Sequence, residues 1–123
     1  MESDPVIEKV QALRKQGDFQ AARDILLELA AAEPEYAAVL LLLGDSQAEL
    51  GEWQAATETF RRAVEHFPNS ETVSLALFHC LWDQERQVEA LDEMKRFIRT
   101  HDSEDYTEML RDLTAALREE EQQ

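Results

Sequence analysis

The residues best suited to chemistry lie close together: His79 and Cys80 are neighbours, and Asp83 follows the histidine by four positions. A histidine beside a thiol could be a nucleophile and its base, and a His/Asp pair could begin a metal site. Adjacent residues of a helix point about 100° apart, so His79 cannot serve Cys80 as a base. His79 and Asp83 share a helix face, but two ligands are too few to hold a metal ion.

Nothing else in the sequence supplies a catalytic arrangement. There is no Gly-rich phosphate loop, no strand to carry a nucleophile elbow, and no histidine suitably placed beside a serine. We therefore predict that the protein is not an enzyme and has no catalytic residue, cofactor or metal ion. Cys80, the single cysteine, cannot form an intramolecular disulfide and suits a reducing compartment. It is predicted to pack as a small hydrophobic residue, since no adjacent Lys or Arg lowers its pKa.

The composition is strongly acidic. The 123 residues include 27 Asp and Glu against 12 Lys and Arg, for a net charge of −15. Nucleic acid and anionic membranes both require a basic surface, so we exclude both as partners. The acids are spread evenly along the chain, which is more typical of a solubility feature than of one binding site. A basic protein partner remains open.

The sequence contains no recognisable targeting or membrane-spanning segment. The stretch from Met1 to Pro5 has neither the basic residues nor the apolar core of a signal peptide. The longest apolar run, Ala37 to Leu43, is far too short to cross a bilayer. We expect a cytoplasmic protein.

The elements that carry these residues recur along the chain. Small and apolar residues repeat at a spacing of 34 positions, separated by polar ones. Such a period predicts stacked supersecondary units, because one helix pair cannot bury its own apolar face. The matching columns are Gly17 with Gly51, Ala22 with Ala56 and Ala90, Leu26 with Phe60 and Met94, and Pro34 with Pro68.

At these residues the chain resembles the tetratricopeptide repeat family over residues 3–104. The copy at 37–70 is the strongest and matches the family pattern at Leu40, Leu43, Gly44, Ala56, Phe60, Ala63 and Pro68. The copies at 3–36 and 71–104 are weaker: Lys9 stands where leucine is expected, Phe78 in the column of Gly44, and Asp102 in the proline column. The resemblance implies an all-α, right-handed α-solenoid of three antiparallel helix pairs, which we treat as one domain over 1–123.

A last amphipathic helix is predicted at about 104–119. Its apolar stripe marks it as a capping helix that covers the last repeat. Phe78 should push the third helix pair apart unless it turns into the contact with this helix. The stripe consists of Tyr106, Met109, Leu110, Leu113, Ala116 and Leu117.

Helix ends can also be predicted from residue type. Asp4 followed by Pro5 is a good helix start, with a capping side chain and a proline at the first helical position. Gly17 and Gly51 are expected to end the first helices of their pairs in left-handed conformations. The third turn, at 84–87, lacks glycine, and we expect it to be less well defined.

The resemblance also indicates where a partner would bind. In this family the first helix of each pair lines a concave groove with the face that is not used for packing. The residues expected on that face are Ile7, Gln11 and Arg14 in the first copy, Leu41, Asp45 and Glu49 in the second, and Leu75, His79, Trp82 and Asp83 in the third. Trp82 could equally pack against its own helix pair.

The charges in these columns bear on the kind of partner. Chaperone-cofactor members of the family hold a peptide carboxylate with basic and amide side chains, whereas Asp45, Glu49, His79 and Asp83 occupy the matching columns here. An apolar segment flanked by basic residues therefore fits better, since Leu41 and the neighbouring apolar residues supply contact area and the acids supply complementary charge.

These observations lead to one preferred function and two alternatives. The preferred one is an interaction scaffold or adaptor that binds a peptide or protein segment in the groove. The first alternative is a dedicated acidic partner, such as a secretion chaperone or an immunity protein that masks one basic client. The second is a self-associating structural module, and the sequence gives no specific indication of a homo-oligomer.

Overall fold

The computed structural model describes residues 4–122, and among them it contains seven helices and no strand. The predicted all-α repeat fold is confirmed. Helices pair along the chain, α1 with α2, α3 with α4 and α5 with α6, and successive pairs also pack on each other. The helices are α1 (Pro5–Lys15), α2 (Phe19–Ala32), α3 (Ala37–Glu49), α4 (Trp53–His66), α5 (Glu71–Asp83), α6 (Gln87–Ile98) and α7 (Glu104–Glu121).

The exact limits of the repeats, and the treatment of 1–123 as one domain, stay predictions. The first proposed repeat begins at Ser3, and the proposed domain ends at Gln123, both of which lie outside the described residues. Each of the three predicted copies nevertheless encloses one observed helix pair.

Polar side chains cap several helix starts. Asp4 accepts a hydrogen bond from the Val6 backbone N–H at 2.9 Å, with Pro5 as the first helical residue, as predicted. Ser70 and Ser103 cap α5 and α7 in the same manner. Each of these caps satisfies one backbone donor that the helix itself leaves unpaired.

The three turns within helix pairs share one conformation. Gly17 and Gly51 have φ of 81° and 77°, which confirms their predicted left-handed caps, and Glu85 occupies the same place with φ of 63°. The Glu85 N–H donates to the Trp82 carbonyl at 2.9 Å, as the Gly51 N–H does to the Ala48 carbonyl. The expectation of a less defined third turn is therefore wrong: the hydrogen bonds of the turn hold Glu85 in a left-handed conformation that costs a residue with a side chain roughly 1–2 kcal/mol.

The core consists of two joined clusters. One is built mainly from α1, α2 and α3, around Val10, Leu26 and Leu40. The other is built from α4, α5, α6 and the start of α7. Leu41 and Val64 pack against both clusters. The apolar faces of neighbouring pairs are therefore covered by each other, as the repeat argument requires.

Gly44 allows the second pair to pack closely. A Cβ atom at this position would lie 2.5 Å from two ring atoms of Phe60, which is only 2% exposed. Such an approach is impossible for a real side chain unless the ring moves. The glycine of the pattern is thus required by the aromatic ring opposite it.

In the third pair Phe78 takes the place of this glycine and is buried. Its ring contacts Tyr106 edge-on with centroids 5.5 Å apart and stacks on Trp82 at 5.6 Å. Met94 occupies the column of Phe60 and is buried in the same cluster. Of the two predicted outcomes, the second is confirmed: Phe78 turns into the contact with α7, where its ring packs against Tyr106.

A buried polar network ties α7 to the third pair. The Ser74 hydroxyl donates to a Glu93 carboxylate oxygen at 2.7 Å, and the Tyr106 hydroxyl lies 2.7 Å from the Ser74 oxygen. Since the Ser74 proton is used toward Glu93, the Tyr106 hydroxyl is the donor in the second bond. Arg96 makes two further bonds to Glu93, at 2.9 and 2.7 Å. Every member of the network is thereby paired, as a buried polar cluster must be.

Two arginines 34 positions apart reach back to the preceding pair. Arg62 on α4 donates to the Ala30 carbonyl at 3.0 Å. Arg96 on α6 donates to the Pro68 carbonyl at 3.0 Å. These bonds join consecutive pairs through backbone acceptors.

Only part of α7 covers the third pair. Tyr106 is fully buried and Met109 packs on the cluster, but Leu110 and Leu117 are 40% and 60% exposed. Tyr106 and Met109 therefore make the contact expected of a capping helix, whereas Leu110 and Leu117 of the stripe remain exposed. The helix extends past the pair that it covers, because only its first turns meet α5 and α6.

Candidate protein-binding groove

The first helices of the three pairs surround a cavity of about 570 Å³, which we call the central groove. The cavity lies on the exposed face of α3, between α1 on one side and α5 on the other. Its walls are formed by Arg14, Asp45, Ala48, Glu49, Trp53, Phe60, Ala76, His79, Cys80 and Asp83.

Half of the ten residues predicted for the groove line this cavity. They are the charged and imidazole members, Arg14, Asp45, Glu49, His79 and Asp83. Three of these five are carboxylates contributed by two helices, and one is a guanidinium. The central groove therefore presents an acidic surface with a single arginine at one side.

Arg14 and Asp45 form a loose ion pair between α1 and α3. Their charged atoms lie 3.8 Å apart, and the side chains are 25% and 53% exposed. Partial burial raises the pKa of Asp45 above its ordinary value, Arg14 opposes the shift, and the neighbouring carboxylate of Glu49 adds to it. Asp45 is thus a carboxylate whose charge is incompletely compensated by the protein.

Three apolar members of the predicted set lie outside the lining of this cavity. Leu41 packs against both core clusters, and Leu75 packs against the C-terminal one. Trp82 stacks on Phe78, with ring planes inclined by 15°. All three belong at least partly to the core, so they offer less contact area to a partner than the sequence suggests.

The remaining two predicted residues lie on α1, away from the cavity. Ile7 is half-buried beside the N-terminal core cluster, and Gln11 is exposed. Neither lines the central groove.

Trp53 is a groove residue that sequence reasoning missed. It is 37% exposed and lines the cavity from the start of α4, next to the Gly51 turn. It was missed because it belongs to the second helix of its pair, and the family pattern assigns that helix to packing. Its large, partly exposed ring is the type of side chain that anchors protein partners.

Cys80 lies in the wall of the cavity and is only 4% exposed, which confirms its predicted packing. Its sulfur lies 3.6 Å from the Thr57 hydroxyl and 3.4 Å from the Gln84 amide nitrogen. Burial raises the pKa of this thiol, which therefore remains protonated at neutral pH. A protonated, buried thiol is a poor nucleophile.

Metal-binding clusters and membrane-spanning helices are both absent from residues 4–122. Within that range no three His, Cys, Asp or Glu side chains are grouped so that they could hold a metal ion. No helix in the same range is both long and apolar enough to cross a membrane.

The fold and the groove define the class of the protein. Stacked helix pairs with an open face on their first helices form a protein-interaction scaffold. A family model of the tetratricopeptide repeat matches residues 7–71, which is more than half of the chain. The chain belongs to the tetratricopeptide repeat family.

Solved structures share this fold. MamA from Desulfovibrio magneticus RS-1 superimposes with a TM-score of 0.68 at 22% identity, over 76% of this chain and 53% of that one. A point mutant of MamA gives 0.68 at 22% identity, over 80% of this chain and 72% of that one. The chain thus spans about half of the first and nearly three quarters of the second.

A third similar structure is closer in length. SycD, the type III secretion translocator chaperone of Yersinia enterocolitica, gives a TM-score of 0.71 at 12% identity over 92% of this chain and 85% of that one. At such low sequence identities the similarity shows that the fold is shared, and nothing beyond the fold. A comparison with curated proteins found no match.

Proposed function

We propose that the central groove binds a segment of another protein that carries basic residues beside apolar ones. The observation that supports this proposal most strongly is the convergence of Asp45, Glu49 and Asp83 on one cavity, with Arg14 as its only arginine. A lysine or arginine of a partner entering this cavity would gain Coulomb attraction from several carboxylates.

The electrostatics of Asp45 favour the same partner. The raised pKa of Asp45 means that the protein stabilises its negative charge poorly, because burial outweighs the distant Arg14. A cation placed beside it would relieve this cost. A peptide carboxylate would increase it, so the acidic groove disfavours the partners that basic grooves of the family select.

Trp53 and Ala48 supply the apolar part of the contact. Both line the cavity beside the acids, and the Trp53 ring is partly exposed. A partner side chain that covers this ring buries apolar area next to the ion pairs, where desolvation strengthens them.

The test is a fluorescence anisotropy titration with two labelled peptides of equal length, one alternating Leu and Lys and one alternating Leu and Glu. The full chain should bind only the Lys peptide, and its affinity should fall steeply as salt is raised, because exposed charge pairs are screened. The triple variant Asp45→Asn, Glu49→Gln, Asp83→Asn should bind about tenfold more weakly, since charge pairs at interfaces carry on the order of 1.5 kcal/mol or more.

A matched control neutralises three acids away from the groove, with Glu28→Gln, Glu58→Gln and Asp92→Asn. All three side chains are exposed, and the net charge changes by the same amount. If this control weakens binding as much as the groove variant does, the attraction is general and the proposed site is wrong. Leu41 and Trp82 are unsuitable targets because both pack on the core.

A dedicated chaperone for one basic client is the second candidate. It is favoured by the net charge of −15 and by the likeness to SycD over most of both chains. The distinguishing measurement is client solubility: this candidate requires a basic client that stays soluble only when it is co-expressed with the chain. An adaptor that binds short peptides with no effect on client solubility would contradict it.

A further inference from the structure

Helix α7 begins in the same way as α5. Ser103 caps α7 by accepting from the Tyr106 N–H at 3.1 Å, and Ser70 caps α5 by accepting from the Val73 N–H at 3.3 Å. Matching the two serines makes each residue of α7 the counterpart of the α5 residue 33 positions earlier. In this alignment α7 is the first helix of a fourth pair.

The contacts that join a first helix to its second helix can be traced in the complete pairs. Ser74 donates to Glu93, Gly44 meets the ring of Phe60, and Gln47 accepts from Thr59 at 2.7 Å. On α7, Ser74 corresponds to the residue 33 positions later. Gly44 and Gln47 lie one repeat earlier, so each corresponds to the residue 34 plus 33 positions later. Their counterparts are Thr107, Arg111 and Thr114.

All three counterparts line open cavities. One cavity of about 480 Å³ lies between α7 and the end of α6, where Ile98 and Leu110 form apolar walls. A second, of about 420 Å³, continues along α7 past Thr114 to Arg118. Thr107, Leu110 and Arg111 line both cavities, so they form one trough, which we call the α7 trough. It lies where a second helix would pack in a complete pair.

The trough has opposite charges at its two ends. Asp102, Glu104 and Glu108 line the end near the start of α7. Arg118 lines the other end and Arg111 lies between the two ends, and within residues 4–122 neither guanidinium lies in an ion pair. A helix packed beside α7 and running antiparallel to it would meet Arg118 with its N-terminal half and the acids with its C-terminal half.

We propose that the α7 trough docks an amphipathic helix of a partner protein, antiparallel to α7, with acids in its first turns and bases in its last turns. This order of charges also suits the helix dipole of the docked helix itself. Its apolar stripe would cover Leu110 and Ile98. A second copy of α7 fits less well, because α7 carries seven acids against two arginines and two such helices repel each other.

The proposal can be tested with a hydrocarbon-stapled peptide of about 18 residues, long enough and constrained enough to be helical. It carries leucines at helical spacing, Glu in its first two turns and Lys in its last two turns. A second peptide has the same composition with Glu and Lys exchanged. Binding of the fluorescent peptides to the full chain is measured by anisotropy, and we expect the first peptide to bind at least about tenfold more tightly.

Paired variants locate the site. Arg111→Glu with Arg118→Glu should weaken binding of the first peptide about tenfold, whereas Lys15→Glu with Lys95→Glu makes the same charge change at exposed lysines outside the trough and should leave it within about twofold. The triple groove variant of the preceding section should also bind it normally. Circular dichroism melts verify that each variant is folded.

Each remaining outcome overturns the proposal. Equal binding of the two peptides, or binding of neither, would show that the trough does not select a helix by its charge order. A dimer in sedimentation equilibrium that dissociates on Leu110→Glu would assign the trough to a second copy of this chain.

Discussion

The second and third helix pairs fill the same place in two different ways. In the second pair Gly44 leaves room for the ring of Phe60, while in the third pair Phe78 fills that room from the first helix and Met94 replaces the ring. The third pair also needs Tyr106 from α7 to complete the packing around Phe78. In both pairs the space between the two helices is filled. In the second pair the filling ring comes from the second helix, and in the third pair it comes from the first helix.

The largest effect is expected from Phe78→Ala. The ring is 4% exposed and contacts both Trp82 and Tyr106, so its removal leaves a cavity between the third pair and α7. We expect a loss of about 3–5 kcal/mol in the free energy of unfolding, measured by urea denaturation. A loss below about 1 kcal/mol would show that the third pair closes around the gap.

Gly44→Ala tests the opposite arrangement in the second pair. The added methyl group would collide with the Phe60 ring at 2.5 Å, and we expect a cost of about 1–3 kcal/mol in spite of the better helix propensity of alanine. Phe60→Leu in the same chain should recover part of that cost. The two substitutions form a double-mutant cycle, and an interaction energy near zero would contradict the close contact.

Tyr106→Phe probes the buried polar network that ties α7 to the third pair. Loss of the hydroxyl removes a hydrogen bond to Ser74 and should cost about 1 kcal/mol at neutral pH. Burial raises the pKa of Tyr106 to about 12, so the folded chain keeps a proton that the unfolded chain releases near pH 10. The stability of the parent protein should therefore fall as the pH rises from about 10 to about 12.

The fall should be smaller in Tyr106→Phe, since the substituted ring has no proton to lose. Denaturation at several pH values measures it. Tyr36→Phe, at an exposed tyrosine, is the matched control and should keep the alkaline loss of the parent. Equal alkaline loss in all three proteins would place the responsible group elsewhere.

The smallest effect is expected in the turns of the two pairs. Glu85 holds a left-handed φ of 63° where Gly51 holds 77°. Glu85→Gly should raise the free energy of unfolding by about 0.5–1 kcal/mol, because relief of strain exceeds the entropy that glycine adds to the unfolded chain. Gly51→Ala should act in the opposite direction. Thermal melts of both variants show whether the two substitutions change the stability in opposite directions.

Sequence reasoning predicted the features that depend on period and on local chemistry. The columns of Gly44, Phe60 and Ala63 follow from residue size at a fixed spacing, and the Asp4 cap follows from neighbouring residues. Glu85 was missed because residue preference argues against a left-handed glutamate, while the hydrogen bonds that hold it become visible only in three dimensions.

The groove was predictable in part for a related reason. The charged members face the cavity because their helix face has no neighbour to pack on. Trp82 was ambiguous in sequence because a ring at that position can turn either way, and its direction is set by Phe78, which departs from the pattern. Trp53 was missed because it enters the groove from a helix whose role is otherwise packing.

The bonds from Arg62 to the Ala30 carbonyl and from Arg96 to the Pro68 carbonyl bear on how the array unfolds. Each bond is lost as soon as either of the two pairs that it joins opens, so it adds to the coupling between neighbours and leaves the stability of a single pair unchanged. Strong coupling suppresses partly unfolded states. Fraying should accordingly be confined to the outer helices, with amide hydrogen exchange of α3, α4 and α5 proceeding only through cooperative opening of the whole stack.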